Sequence, residues 1–225
     1  MNASLDTNVI IHLYNADFQD VLFDRFDKLI VYQFIRHQEL KRHASQDLLK
    51  EFDEDVAAGK IQLITDQQLI DIGMYEIFKN HVYELEILFD GGDLGEVYAI
   101  SIAKTLGCIC LITDDIKERG PHYTLMRFID SDVIPFAFYE LLFLDYLERK
   151  TSKEEVVVFF NFICETSDMR MSFTSKLKSF VRRFWHRPYS EREAEWMVKF
   201  CDDNSIKAKK RLQELFDYLK TIERV

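Results

Sequence analysis

Four short apolar runs constrain this chain most. "KLIVY" (residues 28–32), "KIQLIT" (60–65), "GCICLIT" (107–113) and "DVIPFAF" (132–138) are too short for helices. They are rich in β-branched or aromatic residues, so each reads as a strand. Their apolar character is continuous, the pattern of parallel strands covered by helices on both faces. Helical patterns lie between them at about 33–43, 47–58, 66–89 and 93–106, and "ASLDTNVIIHLY" (3–14) reads as a further strand running into a helix. The expectation is a three-layer α/β/α sandwich on a mostly parallel sheet over residues 1–148.

The character changes at Arg149. "TSKE" and "SERE" are capping boxes, pairing Ser152 with Glu155 and Ser190 with Glu193. Phe173, Leu177, Phe180 and Phe184 recur at helical spacing, as do Leu212, Leu215, Phe216, Leu219 and Ile222. Residues 149–225 therefore read as a separate all-helical region, with "VVVFFNFIC" (156–164) assigned to helix despite its β-propensity.

Charge divides the same way. Residues 1–148 carry 12 Lys/Arg against 27 Asp/Glu, and residues 149–225 carry 17 against 12. An acidic body suits cations and a basic tail suits an anion, although two domains differing only in surface charge would look the same. "VIPFAFYELLFLDYLE" (133–148) is too short and too charged to span a bilayer, and "MNASLD" has no basic leader. The four Cys (108, 110, 164, 201) form no CxxC pair, so they read as reduced core residues of a cytoplasmic protein. The six His show no HxH or HxxxH spacing, which disfavours zinc, and neither a P-loop nor a Gly-x-Ser-x-Gly elbow is present.

Acidic residues fall where the α/β reading puts strand ends or adjacent helices: Asp6 after the first strand, Glu39 in "FIRHQELKRH", Asp93 and Glu96 in "DGGDLGEVYAISIA", Asp114 and Asp115 after "CICLIT". In a parallel sheet the ends carrying Asp6 and Asp114 point the same way. Gathered carboxylates repel unless protonated or occupied by a cation, and all-oxygen donors suit Mg²⁺ or Mn²⁺. Taken singly, each has a plainer reading. Asp6 or "TDD" caps a helix, Glu39 is solvated, and Asp93 meets a helix dipole.

The combination of "LDTNVII", Glu39, "DLGEVYAISIA" and "LITDD", in this order and spacing, resembles the PIN-domain nucleases over about residues 1–139. The resemblance implies an α/β/α sandwich and Mg²⁺- or Mn²⁺-dependent endonuclease activity, usually on RNA. It implies Asp6, Glu39, Glu96 and Asp114 as catalytic metal ligands, with Asp93 as alternative or co-ligand. Asp115 shares the site or caps the next helix. Thr7 and Asn8 would orient Asp6, the Thr7 or Thr113 hydroxyl would bind a phosphate or water, and the cap would pass to Thr7 or Asn8, leaving Asp6 for metal. Many small members of the family are toxins held by an antitoxin. An antitoxin or other protein on the C-terminal helices, and a homodimer, are the partners expected beside RNA.

Basic and aromatic residues alternate in "KLKSFVRRFWHRPY" (176–189), where Lys178, Arg182, Arg183, Trp185 and Arg187 are candidates for nucleic-acid contact. "KAKKR" (207–211) is a second basic run, and Arg119 lies nearer the carboxylates. A solvated basic helix with core aromatics would read alike. An idle interaction module and a structure-specific DNA nuclease are the alternatives to a ribonuclease.

Overall fold

A computed structural model describes residues 1–89, 94–118, 120–127 and 132–222. Asp93 and Arg119 lie outside the described residues. The expected strands form: β1 (Asn2–Leu5), β2 (Lys28–Tyr32), β3 (Ile61–Ile64), β4 (Cys110–Ile112) and β5 (Ile134–Phe136). They build one five-stranded sheet in the order β3-β2-β1-β4-β5, every pairing parallel. The protein is thus an α/β fold, and its helix-covered parallel sheet is consistent with three layers. β4 and β5 are buried at every residue, whereas β2 exposes Lys28 and β3 exposes Gln62.

The Leu94–Thr105 helix packs on β1, β2 and β4. Ala99 and Ala103, four apart and fully buried, give it a small-residue face. Close approach lets the buried Ser4 hydroxyl of β1 donate to the Ala99 carbonyl at 2.9 Å, satisfying a polar group in the core.

Two stretches differ from a continuous helix. The 66–89 pattern breaks into Asp66–Asp71 and Tyr75–Leu88. Gly73 adopts φ +71, the left-handed region that a side chain resists. Gly73 N–H donates to the Ile70 carbonyl and Met74 N–H to the Leu69 carbonyl, the double bond that ends a helix at such a glycine. The 33–43 pattern is wound as a π-helix over Ile35–Leu40, followed by Lys41–His43.

The chain divides into two compact units, Met1–Phe138 and Tyr139–Val225. Residues 139–148 therefore group with the C-terminal unit, ahead of the change of character at Arg149. The reason is visible in Phe143, whose ring meets those of Phe173 and Phe180 at 5.3 Å each. Helices Lys153–Thr166, Phe173–Val181, Glu191–Asp203 and Ala208–Ile222 follow, so the 156–164 run is helical.

Ser152 and Glu155 make both bonds of a capping box, at 3.1 and 2.8 Å. Replacing Ser152 by Ala orphans one helix N–H and is expected to cost about 1 kcal/mol, measurable by urea unfolding. The second expected box is only half made. Ser190 Oγ accepts from Glu193 N–H at 3.2 Å, but the Glu193 carboxylate turns to Arg183 instead. A buried guanidinium outcompetes a helix-end amide because the bond is charge-assisted.

Candidate active site

Chain order runs from β1 outward through β2 to β3, then returns to the other side of β1 for β4 and β5. The reversal lies between β1 and β4, and in open parallel sheets ligands collect beyond the carboxyl ends of the strands at such a point. Asp6 and Asp114 stand there. Asp6 N–H donates to the Ile112 carbonyl at 2.9 Å and Thr113 N–H to the Phe136 carbonyl at 2.9 Å, so the backbone is fixed by the ladder up to these residues.

Asp6 is only 2% exposed. One carboxylate oxygen accepts from Thr7 N–H at 2.7 Å and the other from the Thr113 hydroxyl at 2.8 Å. Asp6 is itself the N-cap of the Thr7–Asn15 helix, with extended backbone at ψ 160. The cap therefore does not pass to Thr7 or Asn8, because Asp6 is the residue at which the strand becomes helix. Asn8 is exposed. The Thr7 hydroxyl is buried with no hydrogen-bond partner, an orphan beside the carboxylate. Thr113 also accepts from Asp115 N–H at 3.2 Å, which ties the Asp6 carboxylate to the loop beyond β4.

The Asp114 side chain is fully buried, and one oxygen accepts from Phe138 N–H at 2.8 Å. The other meets His12 Nδ1 at 2.7 Å. A carboxylate only accepts, so Nδ1 carries the proton and Nε2 of a neutral ring is left as acceptor. His12 was not singled out from the sequence. Its partner is 102 residues away, and no local spacing signals such a pair.

The other described acids, Glu39, Glu96 and Asp115, lie on separate segments of the chain. Glu96 is buried in the first turn of the Leu94–Thr105 helix, where the helix dipole favours an anion. Glu39 lies on the π-helical turn, which packs against both the Leu94–Thr105 and the Thr7–Asn15 helices, and its carboxylate is 3.7 Å from His43 Nε2. Asp115 turns to the Lys117 ammonium at 2.5 Å. Among the described residues no group of three or more His, Cys, Asp or Glu side chains is arranged to hold an ion.

The carboxyl ends of β2 and β3 carry an aromatic cluster. Tyr32 meets Phe78 at 4.7 Å and Tyr98 at 5.0 Å, Phe34 meets Tyr98 at 4.7 Å, and the Tyr32 hydroxyl donates to Asp66 at 2.5 Å. Burial first, then the Asp66 bond, raises the Tyr32 pKa.

The expected nucleic-acid residues separate sharply. Lys178, Arg182, Trp185 and Arg187 are exposed. Arg183 is 3% exposed: its guanidinium bonds both oxygens of Glu140 at 2.9 Å and one of Glu193 at 2.5 Å. Burial disfavours its charge, but the two carboxylates more than offset that and raise its pKa. Arg183 is therefore a structural bridge and not a contact for nucleic acid, because it falls beside Phe180 and Phe184 on the inner side of its helix.

No helix among the described residues is long and apolar enough to cross a membrane. Comparison with family models, with curated proteins and with solved structures finds no significant match for this chain.

Proposed function

We propose that the Met1–Phe138 unit is a Mg²⁺- or Mn²⁺-dependent phosphodiesterase cleaving single-stranded RNA, of the PIN type that its motifs resemble. The observation that carries this reading is the pair of buried carboxylates, Asp6 and Asp114, at the carboxyl ends of the two strands flanking the sheet's reversal. The donor chemistry fits the ion. Mg²⁺ is commonly held by one or two carboxylates together with waters and substrate phosphate, so a pair suffices without an all-protein cage. Glu96 and Glu39 are the further acids of the proposal, with Asp93 as alternative or co-ligand and Asp115 as a further candidate.

The chain's own residues do the following. Thr7 N–H and the Thr113 hydroxyl fix the two Asp6 oxygens. Phe138 N–H and His12 fix Asp114 in the same way. The unpartnered Thr7 hydroxyl is a donor for a phosphate oxygen. Bound, the ion would supply charge stabilisation and a water of lowered pKa.

The test is cleavage of labelled single-stranded RNA and DNA in one digestion, with Mn²⁺ and with a chelator. RNA cleavage that Mn²⁺ restores and the chelator abolishes is the expected result, while DNA cut in preference would indicate the structure-specific DNA nuclease. A second reading, an idle site on an interaction module, is favoured by one observation. All four oxygens of Asp6 and Asp114 already accept a bond from the protein. Absence of cleavage together with no Mn²⁺-induced melting shift would select it.

A further inference from the structure

We propose that the C-terminal unit carries a binding surface for single-stranded nucleic acid, built from Lys178, Arg182, Trp185, Arg187 and Tyr189. It does not depend on the first unit's being a hydrolase.

The charge pattern comes first. Residues 169–190 contain no Asp or Glu, in a chain with 39 of them, and contain six Lys or Arg. Acidic and basic side chains elsewhere pair readily, as Lys79 with Glu76, Lys220 with Asp217 and Lys50 with Glu54. Among the described residues no carboxylate pairs with Lys178, Arg182 or Arg187, and all three are exposed. Lys178 and Arg182 are four apart, the spacing that puts two side chains on one helix face, and Trp185 follows within the turn Arg182–His186. An unneutralised cationic stripe on a chain of net charge −10 selects an anion.

The aromatics select the kind of anion. Trp185 is 37% exposed and Tyr189 47%, so each presents part of an aromatic ring to water beside the cations. Trp185 is held edge-on by two buried rings, Phe180 at 5.8 Å and 65° and Phe184 at 6.2 Å and 71°. A ring fixed this way loses little freedom when a second flat group stacks on it. Alternating cations and stacking faces answer to alternating phosphates and bases, and unpaired bases are the ones with free faces.

The backbone supports the same reading. Phe173–Val181 continues directly into a π-helical turn, Arg182–His186, closed by Arg187 N–H donating to the Arg182 carbonyl at 2.8 Å. Such turns are rare and concentrate at functional positions. This one sends Arg183 inward to the Glu140 and Glu193 carboxylates and leaves Arg182 and Trp185 outside. Arg183 thus acts as a positioning residue for a surface that it does not join.

The experiment measures binding, not cleavage, so its failure is distinct from failure of the hydrolase reading. The full chain, in chelator, is titrated into fluorescein-labelled oligouridylate, the same oligomer lacking bases, and phosphatidylserine vesicles. Oligouridylate should bind, and Trp185→Ala should weaken it by about 5- to 150-fold, the range that loss of base stacking produces. The abasic strand should bind more weakly and be indifferent to Trp185→Ala. Arg182→Ala with Arg187→Ala should lower the slope of log affinity against log salt by about 1.4, at about 0.7 per phosphate on single strands. Arg182 and Arg187 are exposed, whereas Trp185 also packs on Phe180 and Phe184, so Trp185→Phe, which keeps a ring in place, is measured beside Trp185→Ala, and the thermal melt of each variant establishes that it is folded. Equal binding by wild type and Trp185→Ala, equal Trp185 dependence with the abasic strand, or vesicle binding without oligouridylate binding each overturns the proposal.

Discussion

Replacing Asp6 by Asn is expected to lower RNA cleavage by at least about 10²-fold, the loss typical of removing one preorganised electrostatic partner of a reacting phosphate. The substitution is clean because the site tolerates its shape. An Asn carbonyl oxygen can still accept from Thr7 N–H, so the cap of the Thr7–Asn15 helix persists. The new amide group would face the Thr113 hydroxyl, which can rotate and accept where it now donates. Folding stability should therefore stay near wild type while the charge is lost. Asp114→Asn is the less informative partner. Its amide would face His12 Nδ1–H, donor against donor, and would force a change of tautomer or of ring position. Activity is followed on labelled single-stranded RNA in Mn²⁺, and folding by the thermal melt. An Asp6→Asn protein that cleaves like wild type would show that the carboxylate at the end of β1 is a helix cap and nothing more.

The sheet was legible because its strands are covered on both faces, and a continuous apolar run of four to six residues has few other uses. The first helix and the 156–164 helix were legible from their caps as much as from their periodicity. Gly73 was visible in the sequence, but a helical period resumes on both sides of it, so the break vanishes when only apolar spacing is read. The π-turns at Ile35–Leu40 and Arg182–His186 have no compositional signature, since they add one residue to a turn without changing its polarity. At the candidate site, Asp6, Thr113 and Asp114 could be found because each lies within two residues of a strand's end. What orders them could not. The His12–Asp114 and Thr113–Asp6 contacts close over 102 and 107 residues. A neighbouring pair makes the same point. Arg182 and Arg183 are chemically identical in the sequence, yet one faces water and the other is buried between Glu140 and Glu193. The stripe of Phe173, Leu177, Phe180 and Phe184 marks the inner face, but only the acids on two other helices make an inward Arg tolerable.

That buried bridge supplies the largest expected stability effect. Arg183→Ala should destabilise the Tyr139–Val225 unit by about 3–5 kcal/mol, the cost of breaking a buried ion pair by removing one partner. Three elements meet at this guanidinium: Glu140 on Phe138–Leu147, Arg183 itself on the π-turn, and Glu193 in the first turn of Glu191–Asp203. Without it, two carboxylates remain in the interior without their shared cation. The cost lies in those anions and less in the lost contacts, which sets two further expectations for urea unfolding. Replacing the bridge as a whole, Glu140→Leu with Arg183→Met and Glu193→Leu, should recover most of the stability, because well-packed apolar groups carry no desolvation penalty. In Arg183→Ala alone the two carboxyls would have folded-state pKa values above their unfolded ones. Their protonated forms are then favoured by folding, so the deficit should shrink toward acid pH and grow as pH rises through the folded values. In the wild type the guanidinium, its pKa raised further by the same two carboxylates, stays charged over that range and gives no such trend. A deficit of similar size at every pH would assign the effect to the lost contact of the guanidinium with the Phe184 ring, 4.6 Å from its centroid, and not to the stranded carboxylates.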